Sequence, residues 1–132
     1  MLNDKFKNHK IILASGSPRR QQFLKELEID FEIKLKEIEE IYPDHLQAEE
    51  ITDFLAKLKA RAFENELKDN EVLITSDTIV WLENKALGKP VDASHAVKML
   101  TEMSGKTHKV ITSVCIKTTQ KELVFHDETL VT

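Results

Sequence analysis

The sequence predicts an α/β domain in which helices flank a mixed β-sheet. Along the 132-residue chain, stretches with a strand pattern, rich in β-branched or alternating apolar residues, alternate with stretches of helical periodicity. The last two stretches, 108–117 and 122–132, both alternate, and the four residues between them give a hairpin signal. The length and the 41% hydrophobic content suit one folded domain over residues 1–132.

The first half of the chain contains two predicted strands and one predicted helix before an acidic loop. Residues 10–14 form a short apolar run that ends in small residues, which is typical of a buried strand. A helix is predicted over 18–27, where apolar residues recur at helical spacing. Residues 31–35 alternate strictly and indicate a half-buried strand, and an acidic loop follows over 37–46.

The second half adds two helices and a long β-rich stretch. An amphipathic helix is predicted over 48–67, with apolar residues at positions 51, 54, 55, 58, 62 and 63. Residues 72–82 are β-rich, and a turn at 83–85 leads into a second strand that ends at Leu87. The last helix is predicted over 93–103, where the apolar residues fall on one face.

Composition limits the partners and the compartment. Nineteen basic and twenty-three acidic residues give a net charge of −4, which argues against a general nucleic-acid binder. No apolar run approaches the about 20 residues that span a bilayer, and the chain start lacks the apolar stretch of a signal peptide. The single cysteine, Cys115, excludes an internal disulfide framework and is expected in the core. We therefore expect a cytoplasmic protein with neither nucleic-acid nor membrane partners.

The segment before the first helix has the pattern of an anion site. Ser17 can cap the helix, and Pro18 occupies the favoured first helical position. Arg19 and Arg20 follow, although cations in the first turn oppose the helix dipole. An anion at that end would explain both arginines, because free backbone N–H groups and guanidinium groups bind phosphate. The alternative is a pair of solvated arginines on an exposed helix start.

Three further charged residues are candidates for the chemistry. Asp77 lies inside a β-branched strand, where a carboxylate is disfavoured unless paired, so it can bind a cation or activate a water. Lys89 lies in a tight glycine–proline turn, and Lys59 borders the apolar stripe of its helix. The alternatives are a structural acid and two solvated or snorkelling lysines. The stretch 25–53, with eleven acids against three bases, adds carboxylates able to hold a divalent cation.

Five motifs in order along the chain resemble the Maf family, named for septum-formation inhibition. They are Ala14–Arg20, Leu55-Ala56 with Lys59-Ala60, Ser76–Val80, Leu87–Pro90, and a run from Met99 to Thr112 that includes Ser104-Gly105, Thr107-His108 and Val110. The resemblance implies the fold of the inosine-triphosphate pyrophosphatases and a nucleoside-triphosphate pyrophosphatase activity. Such enzymes use a divalent metal to cleave between the α and β phosphates, and they release a nucleoside monophosphate and pyrophosphate.

The resemblance also assigns substrate contacts. By this resemblance, the phosphates of the substrate would be bound by Ser15, Arg19 and Arg20. Thr78, directly after Asp77, resembles the branch of the family that acts on dTTP and UTP. A related branch that acts on 7-methyl-GTP usually carries glutamine at this position. The resemblance therefore implies dTTP, UTP or a modified nucleoside triphosphate as the substrate.

The catalytic residues come from the same resemblance. Asp77 and Glu40 would bind the metal, Mg²⁺ or Mn²⁺, or activate the attacking water. Lys59 and Lys89 would balance charge on the triphosphate. These roles suit phosphoryl transfer, which depends mainly on positioning and charge stabilisation, and a metal with a base supplies a nucleophile at neutral pH.

Members of the family continue past residue 132 with a further segment that includes a glutamine of the site. We therefore expect a Maf-like domain that lacks its C-terminal part. This leaves two alternatives to an enzyme open. The first is a module that binds a nucleotide or a cell-division partner without turnover. The second is a fragment that pairs its last strand with a second copy and forms a homodimer.

Overall fold

The computed structural model of the protein describes residues 9–15, 17–87 and 92–132. The prediction of an α/β domain with a mixed sheet is confirmed, because six strands in these ranges form one sheet and three helices accompany it. The strands are β1 (Lys10–Leu13), β2 (Phe31–Ile33), β3 (Glu71–Leu82), β4 (Lys85–Leu87), β5 (His108–Lys117) and β6 (Glu122–Val131). The helices are α1 (Pro18–Glu26), α2 (Glu49–Arg61) and α3 (Ala93–Met103).

The sheet has a parallel part and an antiparallel part. β1 lies between β2 and β3 and runs parallel to both, whereas β3, β5 and β6 are antiparallel neighbours. β1 stops pairing with β3 at Ile74, and β4 begins pairing with the same edge at Val80. Among the described residues, the stretch of β3 between Thr75 and Ile79 therefore has a strand neighbour only on its β5 side. This break in the sheet leaves room for a site.

Helices α1 and α2 lie on opposite faces of the sheet. Lys59 of α2 contacts Asp77, whereas Arg20 of α1 contacts Thr78, the next residue of β3. Successive side chains of a strand point to opposite faces, so the two helices approach β3 from opposite sides. Right-handed crossovers from β1 to β2 and from β2 to β3 require this arrangement, because β2 and β3 flank β1 on opposite edges.

The hydrophobic core lies between α2 and the sheet. Ala56 and Ala60 are fully buried, and their small side chains let the helix approach the strands closely. The buried cluster consists of Ile12, Ala56, Ala60, Phe63, Leu73 and Cys115. Cys115 is a free thiol with 0% exposure, which confirms its expected place in the core. The hydroxyl of Thr75 donates to the carbonyl of Ala56 at 2.7 Å and fixes α2 along β3.

Two predicted elements are too long. The long helix ends at Arg61 rather than at residue 67, and the following residues form tight turns with i to i−3 hydrogen bonds, such as Phe63 N–H to the Ala60 carbonyl. Lys36 donates to the carbonyl of Ala62 at 2.9 Å, so a side chain from the preceding loop binds the helix end. The second strand stops at Ile33 because β1, its partner, ends at Leu13. No helix in the described ranges has both the length and the apolarity to cross a bilayer.

The packing of α2 on β3 gives a stability prediction. Leu73 is fully buried in the central strand, so Leu73→Ala should lower the free energy of unfolding by about 2–5 kcal/mol. Leu123→Ala removes the same atoms from a side chain that is 60% exposed on β6, and it should cost less than about 0.5 kcal/mol. Urea unfolding of both variants checks the prediction, and equal losses would contradict the core described above.

Candidate active site

A cleft of about 800 Å³ opens at the carboxyl end of β1. One wall carries Ser15 and Arg20, and the other carries Glu40, Lys59 and parts of the loop after β2. In open α/β sheets, ligands bind outside the carboxyl ends of the strands, where the chain connections leave in opposite directions. The cleft lies at such a point, and its volume is in the range of small-molecule sites.

The start of α1 differs in one respect from the prediction. Pro18 occupies the first turn and Ser17 the cap position, as expected, but the Ser17 side chain makes no capping hydrogen bond. The Ser17 backbone has the extended conformation usual for a cap residue, and its N–H donates to the hydroxyl of Ser15 at 3.2 Å. The first turn also contains no acidic residue. The positive end of the helix is therefore left without the Ser17 cap, which favours an external anion.

Arg20 is held at the cleft by two elements. Its Nη1 donates to the hydroxyl of Ser15 at 3.2 Å, and its Nη2 donates to the hydroxyl of Thr78 at 2.8 Å. Burial lowers the pKa of Arg20, and the nearby carboxyl of Asp77 opposes this shift. The guanidinium is thus partly desolvated and keeps further N–H donors beyond the two in use, which suits the binding of a multiply charged anion.

The two arginines do not occupy equivalent places. Arg20 lines the cleft, whereas the Arg19 side chain is exposed and is not among the residues of the cleft wall. Neighbouring residues of a helix point about 100° apart, so one of the pair must face away when the other faces the sheet. Lys89 lies outside the described residues, so its assigned role stays a prediction.

Lys59 joins two carboxylates at the other side of the cleft. Its Nζ lies 3.0 Å from Asp77 Oδ1 and 3.1 Å from Glu40 Oε1. The same ammonium donates to the backbone carbonyl of Ser76 at 3.1 Å. Ser76 lies in the stretch of β3 beyond the end of its pairing with β1. The sequence predicted all three charged residues for the site, and the structure brings them together although they come from a loop, a helix and a strand.

Asp77 is the most buried ionisable group of this cluster. Its side chain is 8% exposed, and Oδ2 is buried without a hydrogen-bond partner among the described residues. Burial raises the pKa of Asp77, while the ammonium of Lys59 acts against the shift and Glu40 adds to it. Asp77 reaches the cleft through Lys59 and is not itself part of the wall. The geometry therefore combines an unsatisfied carboxylate oxygen with a movable cation in front of it.

The donor set fits a hard divalent cation. Two carboxylates, Asp77 and Glu40, already surround one positive charge, and Asp77 Oδ2 has an unused acceptor position. Within the described ranges, no group of three or more histidine, cysteine or acidic side chains has the geometry of a complete metal site. One or two protein carboxylates completed by ligand oxygens and water are the usual Mg²⁺ arrangement, and the two carboxylates fit it.

Sequence reasoning gave no role to several polar residues around the site. Thr112 is paired with Thr78 across β3 and β5, and their hydroxyls lie 2.9 Å apart. Beneath Asp77, the buried Ser113 accepts a hydrogen bond at its carbonyl from Ser76 and makes hydroxyl contacts with Thr52 and Asp53. The sequence indicated these residues only as polar positions inside an otherwise apolar strand. The cross-strand register that gives them partners cannot be read from the sequence.

Comparison with known proteins identifies the family of this chain and several similar proteins. The family model described as Maf-like protein matches residues 10–132. A dTTP/UTP pyrophosphatase of Flavobacterium johnsoniae is 64% identical over 132 residues, which is all of this chain and 68% of that relative. A dTTP/UTP pyrophosphatase of Flavobacterium psychrophilum is 62% identical over the same shares.

Solved structures share the fold at low sequence identity. The Ham1 protein of Staphylococcus aureus superposes with a TM-score of 0.59 at 15% identity, over 92% of this chain and 70% of that one. A nucleoside-triphosphatase, dITP/XTP pyrophosphatase, of Mycobacterium abscessus gives a TM-score of 0.51 at 15% identity, over 92% and 72%. These matches confirm the expected fold.

Proposed function

Because the chain belongs to the Maf-like protein family, we propose that it is a nucleoside triphosphate pyrophosphatase that acts on dTTP and UTP. The reaction is hydrolysis between the α and β phosphates, which yields a nucleoside monophosphate and pyrophosphate. The observation that carries the proposal is one cleft that has an arginine-bearing helix start on one wall and a lysine-bridged carboxylate pair at the other.

The first wall supports binding of the triphosphate. Arg20 is fixed by Ser15 and Thr78 and offers its remaining N–H donors to phosphate oxygens. The uncapped start of α1 adds backbone donors and the positive end of the helix dipole. We assign Ser15, Arg20 and Thr78 to substrate binding, together with Arg19 as an outer contact that needs less precise placement.

The second wall supports the chemistry. Lys59 can move from its carboxylate partners to a phosphate oxygen, because it has three donors on a flexible stem. That movement frees Asp77 and Glu40 to hold Mg²⁺ or Mn²⁺ or to take the proton of the attacking water. A bound divalent cation would neutralise phosphate charge and lower the pKa of a water molecule. We assign Lys89, by resemblance, to charge balance on the same triphosphate.

A buried single cysteine and the absence of a disulfide among the described residues favour a reducing compartment. We therefore propose the cytoplasm as the place of action.

The test is pyrophosphate release from dTTP and UTP, with the purine triphosphates and CTP as comparison substrates. With Mg²⁺ or Mn²⁺ we expect one pyrophosphate and one nucleoside monophosphate per dTTP, and removal of the metal with EDTA should abolish release. The same panel is run on this chain and on the Flavobacterium johnsoniae relative at its full length. Release from neither protein would overturn the proposed reaction, and EDTA-insensitive release would overturn the metal assignment.

A second function is favoured by the placement of Asp77 behind Lys59. If the lysine never leaves its carboxylates, the cleft binds a nucleotide without hydrolysing it, and the protein is a binding or cell-division regulatory module. Calorimetry with dTTP and Mg²⁺ separates the two. Binding followed by the heat of hydrolysis supports the enzyme, and saturable binding with no product supports the module.

A further inference from the structure

The two hydroxyl acceptors of Arg20 differ in how firmly they are held. Ser15 is buried at the end of β1 and also accepts from the Ser17 backbone, so its position is fixed locally. Thr78 is exposed at the break in the sheet. A threonine can occupy more than one χ1 rotamer, and only one of them directs the hydroxyl to Arg20. Something else must therefore select that rotamer.

Thr112, on the neighbouring strand β5, selects the rotamer of Thr78. Thr78 and Thr112 are direct partners in the β3–β5 ladder, which pairs without a break from Leu73 to Trp81. Directly opposed side chains share one face of the sheet, and their Cβ atoms are held at about 5 Å. The 2.9 Å contact between the two hydroxyls thus rests on a rigid part of the fold.

The donors and acceptors of Arg20, Thr78 and Thr112 are compatible with this series of hydrogen bonds. The Arg20 guanidinium only donates, and it uses one acceptor position of the Thr78 oxygen. Thr78 then has one lone pair and one proton left, and Thr112 can satisfy either of them. Among the described residues, the Thr112 hydroxyl is thus the side-chain contact that orients Thr78 besides Arg20 itself.

We propose that Thr112 is a positioning residue for triphosphate binding, which orients Thr78 and through it the Arg20 guanidinium at the cleft. This inference rests on the proposed function, because it assumes that Arg20 binds phosphate. Thr112 acts through Thr78 and has no contact with the substrate itself. The threonine pair at these two ladder positions therefore supports the substrate site through Arg20.

The first experiment compares Thr112→Val with Thr112→Ser in dTTP hydrolysis. The valine variant keeps the branched shape and loses the hydroxyl, and it should raise KM by about threefold to tenfold, the size of one hydrogen bond, with kcat nearly unchanged. The serine variant keeps the hydroxyl and should return KM to the wild-type value. Thr129→Val, on the same sheet face but next to Val110, is the matched control and should leave both constants unchanged. Equal KM values for wild type and Thr112→Val would overturn the proposal.

The second experiment separates an indirect role from a direct one. Arg20→Lys removes the planar guanidinium group that Thr112 is proposed to position. In the Arg20→Lys background, Thr112→Val should therefore raise KM further by less than about twofold. A full additional loss in the double variant would mean that Thr112 acts independently of Arg20, and the proposal would be wrong.

The third measurement does not depend on catalysis. In the free chain, NMR should record slow rotation about the Arg20 Cζ–Nε bond in wild type and Thr112→Ser, and faster rotation in Thr112→Val. Unchanged rotation in Thr112→Val overturns the positioning role even if the enzyme is active. Faster rotation combined with no hydrolysis and no nucleotide binding by wild type would instead overturn the proposed function.

Discussion

Replacement of Asp77 with asparagine is expected to reduce dTTP hydrolysis by at least about 100-fold, the contribution of a positioned general base or more. Asparagine has nearly the same shape, but it can neither take a proton nor bind a cation as a carboxylate does. The change also removes the negative charge that Lys59 contacts at 3.0 Å, although the amide oxygen can still accept its hydrogen bond. Pyrophosphate release under saturating dTTP and Mg²⁺ measures the loss. Activity within threefold of wild type would remove Asp77 from the chemistry.

The same variant should not unfold the protein. Burial raises the pKa of Asp77, so the folded chain favours the protonated form relative to the unfolded chain. That contribution to stability is present below the ordinary pKa of an aspartate and is lost as the pH rises through the raised value. Ionisation of Asp77 as the pH rises therefore costs folding free energy, and a neutral asparagine avoids the cost. We expect urea unfolding at neutral pH to give a stability within about 1 kcal/mol of wild type or above it.

The arginine pair allows a charge-matched comparison in one helical turn. Arg20→Ala should raise KM for dTTP by about tenfold to 100-fold, as expected for a lost charged hydrogen-bonding group. Arg19→Ala removes the same charge from the adjacent, exposed position and should change KM by less than about threefold. Initial rates over a range of dTTP concentrations measure both constants.

The ratio of the two effects decides what binds the phosphate. A large loss only in Arg20→Ala means that the fixed guanidinium, held by Ser15 and Thr78, makes the contact. Equal losses in both variants would mean that the general positive field of the helix start is sufficient. Raising the salt concentration should then weaken binding to the same extent in both variants, because the surface contribution is screened.

Periodicity was sufficient to predict every helix and strand of the described chain. The alternation in β5 matches its alternation of buried and half-buried residues, whereas the apolar stripe predicted for α2 missed Ala56 and Ala60, which lie in the core. The errors are at element ends. At the end of α2, Lys36 from a distant loop binds the carbonyl of Ala62, and the local sequence carries no signal of that contact.

Arg19, Arg20 and Asp77 stood out in the sequence because each breaks a local rule, whereas Glu40 was assigned only by the family resemblance. Arginine at a helix start and aspartate in a β-branched strand both have a cost that a ligand can offset. Ser17 occupies the predicted N-cap position, but the capping hydrogen bond expected from its side chain is absent. Thr112 appeared in a family motif without a role, since its partnership with Thr78 depends on the β3–β5 register.

The most direct measurement is a crystal structure of the protein with Mg²⁺ and the α,β-imido analogue of dTTP, which is not cleaved between those phosphates. We expect the phosphates to contact Ser15 and Arg20 on one wall, the Lys59 ammonium to have moved onto a phosphate oxygen, and Asp77 to face the α phosphorus. A triphosphate bound outside this cleft, or bound inside it with Asp77 still covered by Lys59, would rule out the proposed site.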